Sequence, residues 1–217
     1  MKYMVYILPF TLDAIIIITA IIGSFHYKKY KNTPLKYFLF LLWYGIFTEA
    51  MGIVVSIVFK YPNYIVYNIY VFIRAMFLLW LFSKYLKKTK SKQIVKYFIY
   101  LTVLFFIINT LFVQNIFKDS QSYFYFFGGI LLIVTILIFF IEILNSEAIL
   151  KIKNVLIFWV AAGVLLFELG FTPVFIANKY INYSHGLTYG YILLLLNLIT
   201  SVCFSLGFIW SNKGVDY

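Results

Sequence analysis

Long apolar runs alternate with short polar segments along this chain, and the alternation lays out its elements. The runs fall at residues 4–25, 36–59, 65–83, 97–113, 123–144, 155–177 and 186–210. Each is close to the ~20 residues that an α-helix needs to cross a hydrocarbon core. The segments between them are short and carry turn signals, among them Tyr61-Pro62-Asn63 and Asn145-Ser146-Glu147. The pattern predicts an all-α polytopic membrane protein with seven transmembrane helices in a single domain over 1–217. Lys2 is the only charge before the first run and no small-x-small cleavage site follows it, so it reads as a retained helix rather than a secretory signal.

Composition closes off the alternatives. The chain is 64% hydrophobic and 12% charged, against about 45–50% and about 25% in a soluble domain. A water-soluble core has no room for that much apolar surface. The net charge of +11 does not point to nucleic acid, because the lysines sit in clusters between apolar runs and no nucleic-acid motif accompanies them. Their distribution instead orients the chain. With the N-terminus outside, thirteen lysines fall on the cytoplasmic side and four (Lys2, Lys60, Lys118 and Lys179) outside, which the positive-inside rule reads as N-out and C-in. The densest cluster runs from Lys84 to Lys96. It is expected to attract anionic lipid and is also a candidate docking surface for a cytoplasmic protein. Tyr61, Tyr64, Tyr123, Tyr125, Tyr180, Tyr183 and Trp210, near run ends, suit interfacial belts. The single Cys203 allows no intrachain disulfide.

Candidate chemistry concentrates at one depth. Asp13, Glu49, Arg74, Glu168 and Asn197 each lie about nine to eleven residues from the outer end of their runs. That is about 14–16 Å, near the middle of a core about 30 Å thick. Arg74 is the only arginine, and an ionised group at that depth costs about 3 kcal/mol on insertion scales. One reading is structural: Arg74 pairs with Glu49, and with effort Glu168, to fix helix register. The other is a site, since three acids against one cation imply a wet cavity, a cationic or zwitterionic ligand, or protonation in function. Asn109, Tyr67 and Tyr70 are expected at its rim. Glu142, near the inner end of its run, is expected to reach the interface or a lysine. Pro9 before Asp13, and Gly170 and Pro173 beside Glu168, predict interrupted helices of the kind that line transporter cavities. Glu49 with Gly52, and Glu168 with Gly170, are a faint internal echo compatible with a parallel 3+1+3 arrangement.

Other chemistries find little support. The last run has no lysine for a retinal Schiff base. His26 and His185 sit at run edges, giving no metal set. No Gly-x-Ser-x-Gly elbow or phosphate-cradling loop occurs, so no cofactor is expected and catalysis is not the favoured reading.

In length and N-out topology the chain resembles the seven-helix exporters of the PQ-loop type, although it lacks their defining Pro-Gln dipeptide and no residues carry over. The stretches Tyr30-Lys31-Asn32-Thr33-Pro34-Leu35-Lys36-Tyr37-Phe38 and Glu142-Ile143-Leu144-Asn145-Ser146-Glu147 resemble small uncharacterised membrane proteins of Bacteroidetes-type bacteria. That resemblance implies a bacterial inner-membrane location and no activity. Three functions stay open: a receptor or signalling subunit with a midplane ligand site and a cytoplasmic partner, a small transporter or channel for a cation, proton or amine, and a lipid-modifying enzyme.

Overall fold

Lipid offers a peptide group no hydrogen-bonding partner, so an apolar chain must satisfy its backbone internally, and a helix does so within one segment. The computed structural model describes the backbone of residues 2–180 and 186–212 and the side chains of 11–147, 149–176 and 188–212. It contains α1 (Lys2–Phe25), α2 (Lys36–Ile57), α3 (Tyr64–Tyr85), α4 (Thr89–Ile108), α5 (Ser122–Leu144), α6 (Leu156–Tyr180) and α7 (Gly186–Trp210). A π-turn, Asn109–Val113, extends α4, and 3-10 turns occupy Tyr27–Lys29 and Glu147–Asn154. The described residues include no strand. Six helices among them, α2 to α7, are long and apolar enough to cross a membrane, which supports a multi-pass membrane protein. In α1 the described apolar stretch is Thr11–Phe25.

Two departures from the sequence pattern have physical causes. The lysine-rich segment expected as a loop is mostly helix: α4 begins at Thr89, and Leu86, Lys87 and Lys88 alone connect it to α3. Hydropathy hides this helical turn because its outward face is rich in lysine, yet Ser91 and Val95 are buried on its inner face. In addition, α1 and α6 are continuous through positions 9, 170 and 173, so neither shows the interruption expected there. At Gly170 the missing side chain makes room for Leu196 of α7. It serves close packing rather than a break.

The helices form two compact units, residues 1–43 with 148–217, and residues 44–147, the division falling within α2. In the first, α7 packs on both α1 and α6. Helix association in lipid relies on close contact between small residues, and Gly207 shows it. A Cβ there would lie 2.7 Å from the Trp159 Cβ and 2.8 Å from Leu156 Cδ1. Phe38 meets Phe204 edge to face at 4.9 Å, and Trp159 meets Trp210 at 5.3 Å. The hydroxyls of Thr19 and Ser201 hydrogen-bond across α1 and α7. At the end of α7 the Lys29 ammonium donates to the carbonyls of Phe208 (3.1 Å) and Ile209 (2.7 Å), satisfying last-turn acceptors and opposing the negative helix end. Nearby, the Tyr30 hydroxyl donates to Gly23 O at 2.6 Å, and burial raises its pKa above the ordinary phenol value.

In the second unit α3 packs on α4 and α5, and α4 on α5. Leu78, Leu79, Leu81, Phe82, Ile136 and Phe139 form its buried centre. Toward the other end of α3, Phe72 and Phe106 stack at 4.3 Å, and Phe106 meets Phe124 edge to face at 5.0 Å. The packing thus groups α1 with α6 and α7, and α3 with α4 and α5, which does not follow two sequential trios.

Candidate functional site

Within residues 44–147, α2 presents Gly45, Glu49 and Gly52 on one face, at the four- and three-residue spacing of helical neighbours. Opposite them α3 presents Tyr67 and Tyr70. The Tyr67 hydroxyl donates to Glu49 Oε2 at 2.7 Å. Glycine makes this reach feasible: a Cβ on Gly52 would stand 2.7 Å from the Tyr67 hydroxyl oxygen and 2.9 Å from its Cζ. The phenol therefore lies directly over the bare backbone of α2. Tyr70 does the same one stripe along, with its hydroxyl 3.3 Å from where a Gly45 Cβ would be and its ring 5.7 Å from that of Tyr44.

Arg74 continues the Tyr67–Tyr70 stripe at the next four-residue step of α3. Both Arg74 and Glu49 are half-buried. This face thus carries a carboxylate, two phenols and a guanidinium on mainly apolar helices. It can accept a cation at Glu49, an anion at Arg74, and pass a proton between carboxylate and phenol.

Asn109 belongs to a different polar cluster of the same unit. Its amide donates to Gln114 Oε1 at 3.1 Å and to Gln121 Oε1. Gln114 donates to Ser120 O (2.8 Å) and the Ser122 hydroxyl (2.9 Å), and Gln121 to Gln114 O (2.7 Å). Asn68 receives the Gln121 N–H at 3.0 Å and donates to the carbonyls of Ile116 and Asp119, each at 2.8 Å. The π-turn aims Asn109 inward at 1% exposure. Its place is inside a lock on the α4–α5 connection, not along an open rim. Asn68 and Tyr67 are adjacent on α3 and therefore serve different neighbours, the connection and α2 respectively.

Glu142 is 5% exposed, and the positive charge of Lys88 acts on its carboxylate. Its Oε2 accepts the backbone N–H of Lys87 at 2.7 Å and of Lys88 at 3.3 Å, with the Ser91 hydroxyl as a further partner. The carboxylate closes the α3–α4 connection and caps the start of α4, where a negative charge is favoured.

The other expected site residues lie in the unit formed by 1–43 and 148–217. Asp13 is half-buried on α1, and Glu168 is fully buried on α6. Asn197 returns its amide to Leu193 O of its own helix at 2.9 Å. His26 Nδ1 likewise lies 2.9 Å from Ile22 O. His185 and Tyr183 lie outside the described residues, as do the side chains of Lys2, Pro9, Lys179 and Tyr180. Among the described residues no group of three His, Cys, Asp or Glu is placed to hold a metal.

Glu49, Tyr67, Tyr70 and Arg74 thus share one face. Asn68, Gln114, Gln121 and Ser122, which hydropathy had not singled out, make up the second cluster. Their signal was present as a run of amides and hydroxyls in 114–122, too polar for an ordinary short turn. No family model, no curated protein and no solved structure matches the chain.

Proposed function

We propose that this chain is a receptor or signalling subunit of a bacterial inner membrane. All seven helices would cross, with the N-terminus outside and a protein partner at the cytoplasmic loops. A small cationic or zwitterionic ligand would bind on the α2–α3 face. The observation that carries this reading is the Tyr67–Glu49 hydrogen bond laid over Gly52. A carboxylate in an apolar helix is costly and seldom retained without a partner or a task. Here a phenol is brought to it by an exactingly close approach, and a guanidinium follows on the same stripe. Seven residues separate Tyr67 from Arg74, about 10 Å along the helix. A zwitterion can place its cationic end at Glu49 and its anionic end toward Arg74.

Transport through the same residues leaned on an interrupted sixth helix, and α6 is continuous. That favours binding over passage. The test is a thermal-stability screen of the purified chain in nanodiscs against amines, betaines and amino acids. A ligand that stabilises wild type, fails to stabilise Glu49→Gln and is not accumulated by proteoliposomes supports the reading. Equal stabilisation of Glu49→Gln and Tyr67→Phe by every hit removes the site. Accumulation of a hit that depends on Glu49 replaces the receptor with a transporter.

A further inference from the structure

We propose that the outward face of α4 binds an anionic phospholipid, with the phosphate held by Lys92 and Lys96 and an acyl chain laid along Tyr100, Leu104 and Ile108. These five residues recur every fourth position and are all exposed. A four-residue step advances about 40° beyond one full turn, so they form a stripe that winds through about 160° across the outward half of the helix. Its chemistry changes in the order of a phospholipid: ammonium groups, then a phenol, then branched aliphatic side chains. The Lys96 ammonium stands 6.0 Å from the centre of the Tyr100 ring, so its charge sits at the level of the aromatic and its stem covers apolar surface. Lys96 and Ile108 are twelve residues apart, about 18 Å. That is comparable to one leaflet's share of a hydrocarbon core about 30 Å thick.

Charge selects an anionic occupant. Six lysines lie between Lys84 and Lys96, and no acid occurs from there to Lys118. Glu142 reaches this corner, but its hydrogen bonds go to the main-chain N–H groups of Lys87 and Lys88. Because Glu142 spends its oxygen on these N–H groups, the side chains of Lys92 and Lys96, one turn and two turns into α4, are left to meet an arriving phosphate. The backbone beneath them is fixed as well. Leu86 is 1% exposed and Val95 is fully buried, and Glu142 ties the connection between α3 and α4. A fixed backbone presents its lysines at set positions and lowers the ordering cost of binding. Diffuse attraction to a charged surface has no such dependence on position.

The experiment is native mass spectrometry of the full chain released from detergent, titrated with phosphatidylglycerol, phosphatidylcholine or inorganic phosphate. Wild type is expected to retain phosphatidylglycerol in preference to phosphatidylcholine. Each lysine near an anionic surface contributes roughly fivefold, so Lys92→Gln/Lys96→Gln should weaken phosphatidylglycerol binding about 30-fold. Lys92→Arg/Lys96→Arg should restore it. Circular dichroism on each variant checks that the helices remain. An equal loss in Lys60→Gln/Lys118→Gln overturns the proposal in favour of net charge alone. Displacement of the lipid by inorganic phosphate at equal concentration overturns the acyl-chain half and leaves a bare anion site. Retention of lipid by Lys92→Gln/Lys96→Gln overturns it outright.

Discussion

Replacing Gly52 with alanine tests the α2–α3 contact without touching either partner of the hydrogen bond. The new Cβ would sit 2.7 Å from the Tyr67 hydroxyl oxygen, 2.9 Å from Cζ and 3.1 Å from Cε2. The end of the phenol must give way by roughly 0.5–1 Å to reach an ordinary van der Waals separation near 3.5 Å. A hydroxyl now 2.7 Å from Glu49 Oε2 then passes to about 3.5 Å, where little of a hydrogen bond remains. Overpacking costs about 1–3 kcal/mol, and alanine returns about 1 kcal/mol of helix propensity, so the net loss should be about 1 kcal/mol. Tyr67→Phe removes the same bond directly. Interhelical bonds in membranes average about 0.6 kcal/mol and reach about 1.7. With a half-buried carboxylate as acceptor, about 1 kcal/mol is expected. The two changes share one interaction, and the phenylalanine also removes the atom nearest the new methyl. The double variant should therefore cost about 1 kcal/mol less than the sum. Reversible unfolding in mixed micelles, applied to all four proteins, measures that coupling. Additivity within about 0.3–0.5 kcal/mol is what independent sites show, and it would refute the account of Gly52 as the seat of Tyr67.

Substitutions at three further positions separate packing from polar anchoring. Glu142→Ala removes the acceptor for the Lys87 and Lys88 N–H groups and should cost about 2–3 kcal/mol, with faster amide exchange confined to the 86–91 connection. Glu142→Gln keeps the side-chain volume and one oxygen acceptor and should cost about half as much; a loss equal to that of alanine would assign the effect to the carboxylate charge, and an unperturbed Glu142→Gln would make side-chain volume, not the cap, responsible. Gly207→Ala meets the Trp159 Cβ, an atom that cannot swing aside, and should cost about 1–3 kcal/mol. Gly128→Ala meets only the Ala75 Cβ at 3.7 Å and should be neutral or stabilising by thermal unfolding.

Much of this architecture is legible in the hydropathy pattern because a bilayer imposes one length and one backbone solution on every crossing segment. Glu49 and Tyr67 stand out for the same reason: polar groups are conspicuous where nearly all neighbours are apolar. What the pattern hides is direction. Glu142 stands far from the lysine cluster in sequence and reaches it only in the fold, and there its oxygen goes to main-chain N–H groups, a choice made by the turn after Tyr85. Gly170 and Pro173 look like an interruption because both weaken isolated helices, whereas in α6 the glycine accommodates Leu196 and the helix persists. The start of α4 was missed because exposed lysines read as loop, while burial of Ser91 and Val95 depends on α3 and α5 being in place. Asn68, Gln114 and Gln121 meet through chain folding over about fifty residues, which no local spacing reveals.

Infrared difference spectroscopy of the chain in nanodiscs, with and without a stabilising cationic ligand, reports most directly on the Glu49–Tyr67 site. The predicted result is a ligand-dependent change in a carboxyl band that disappears in Glu49→Gln and shifts in Tyr67→Phe. The contradicting result is an unchanged carboxyl band on ligand binding, or a change that survives Glu49→Gln.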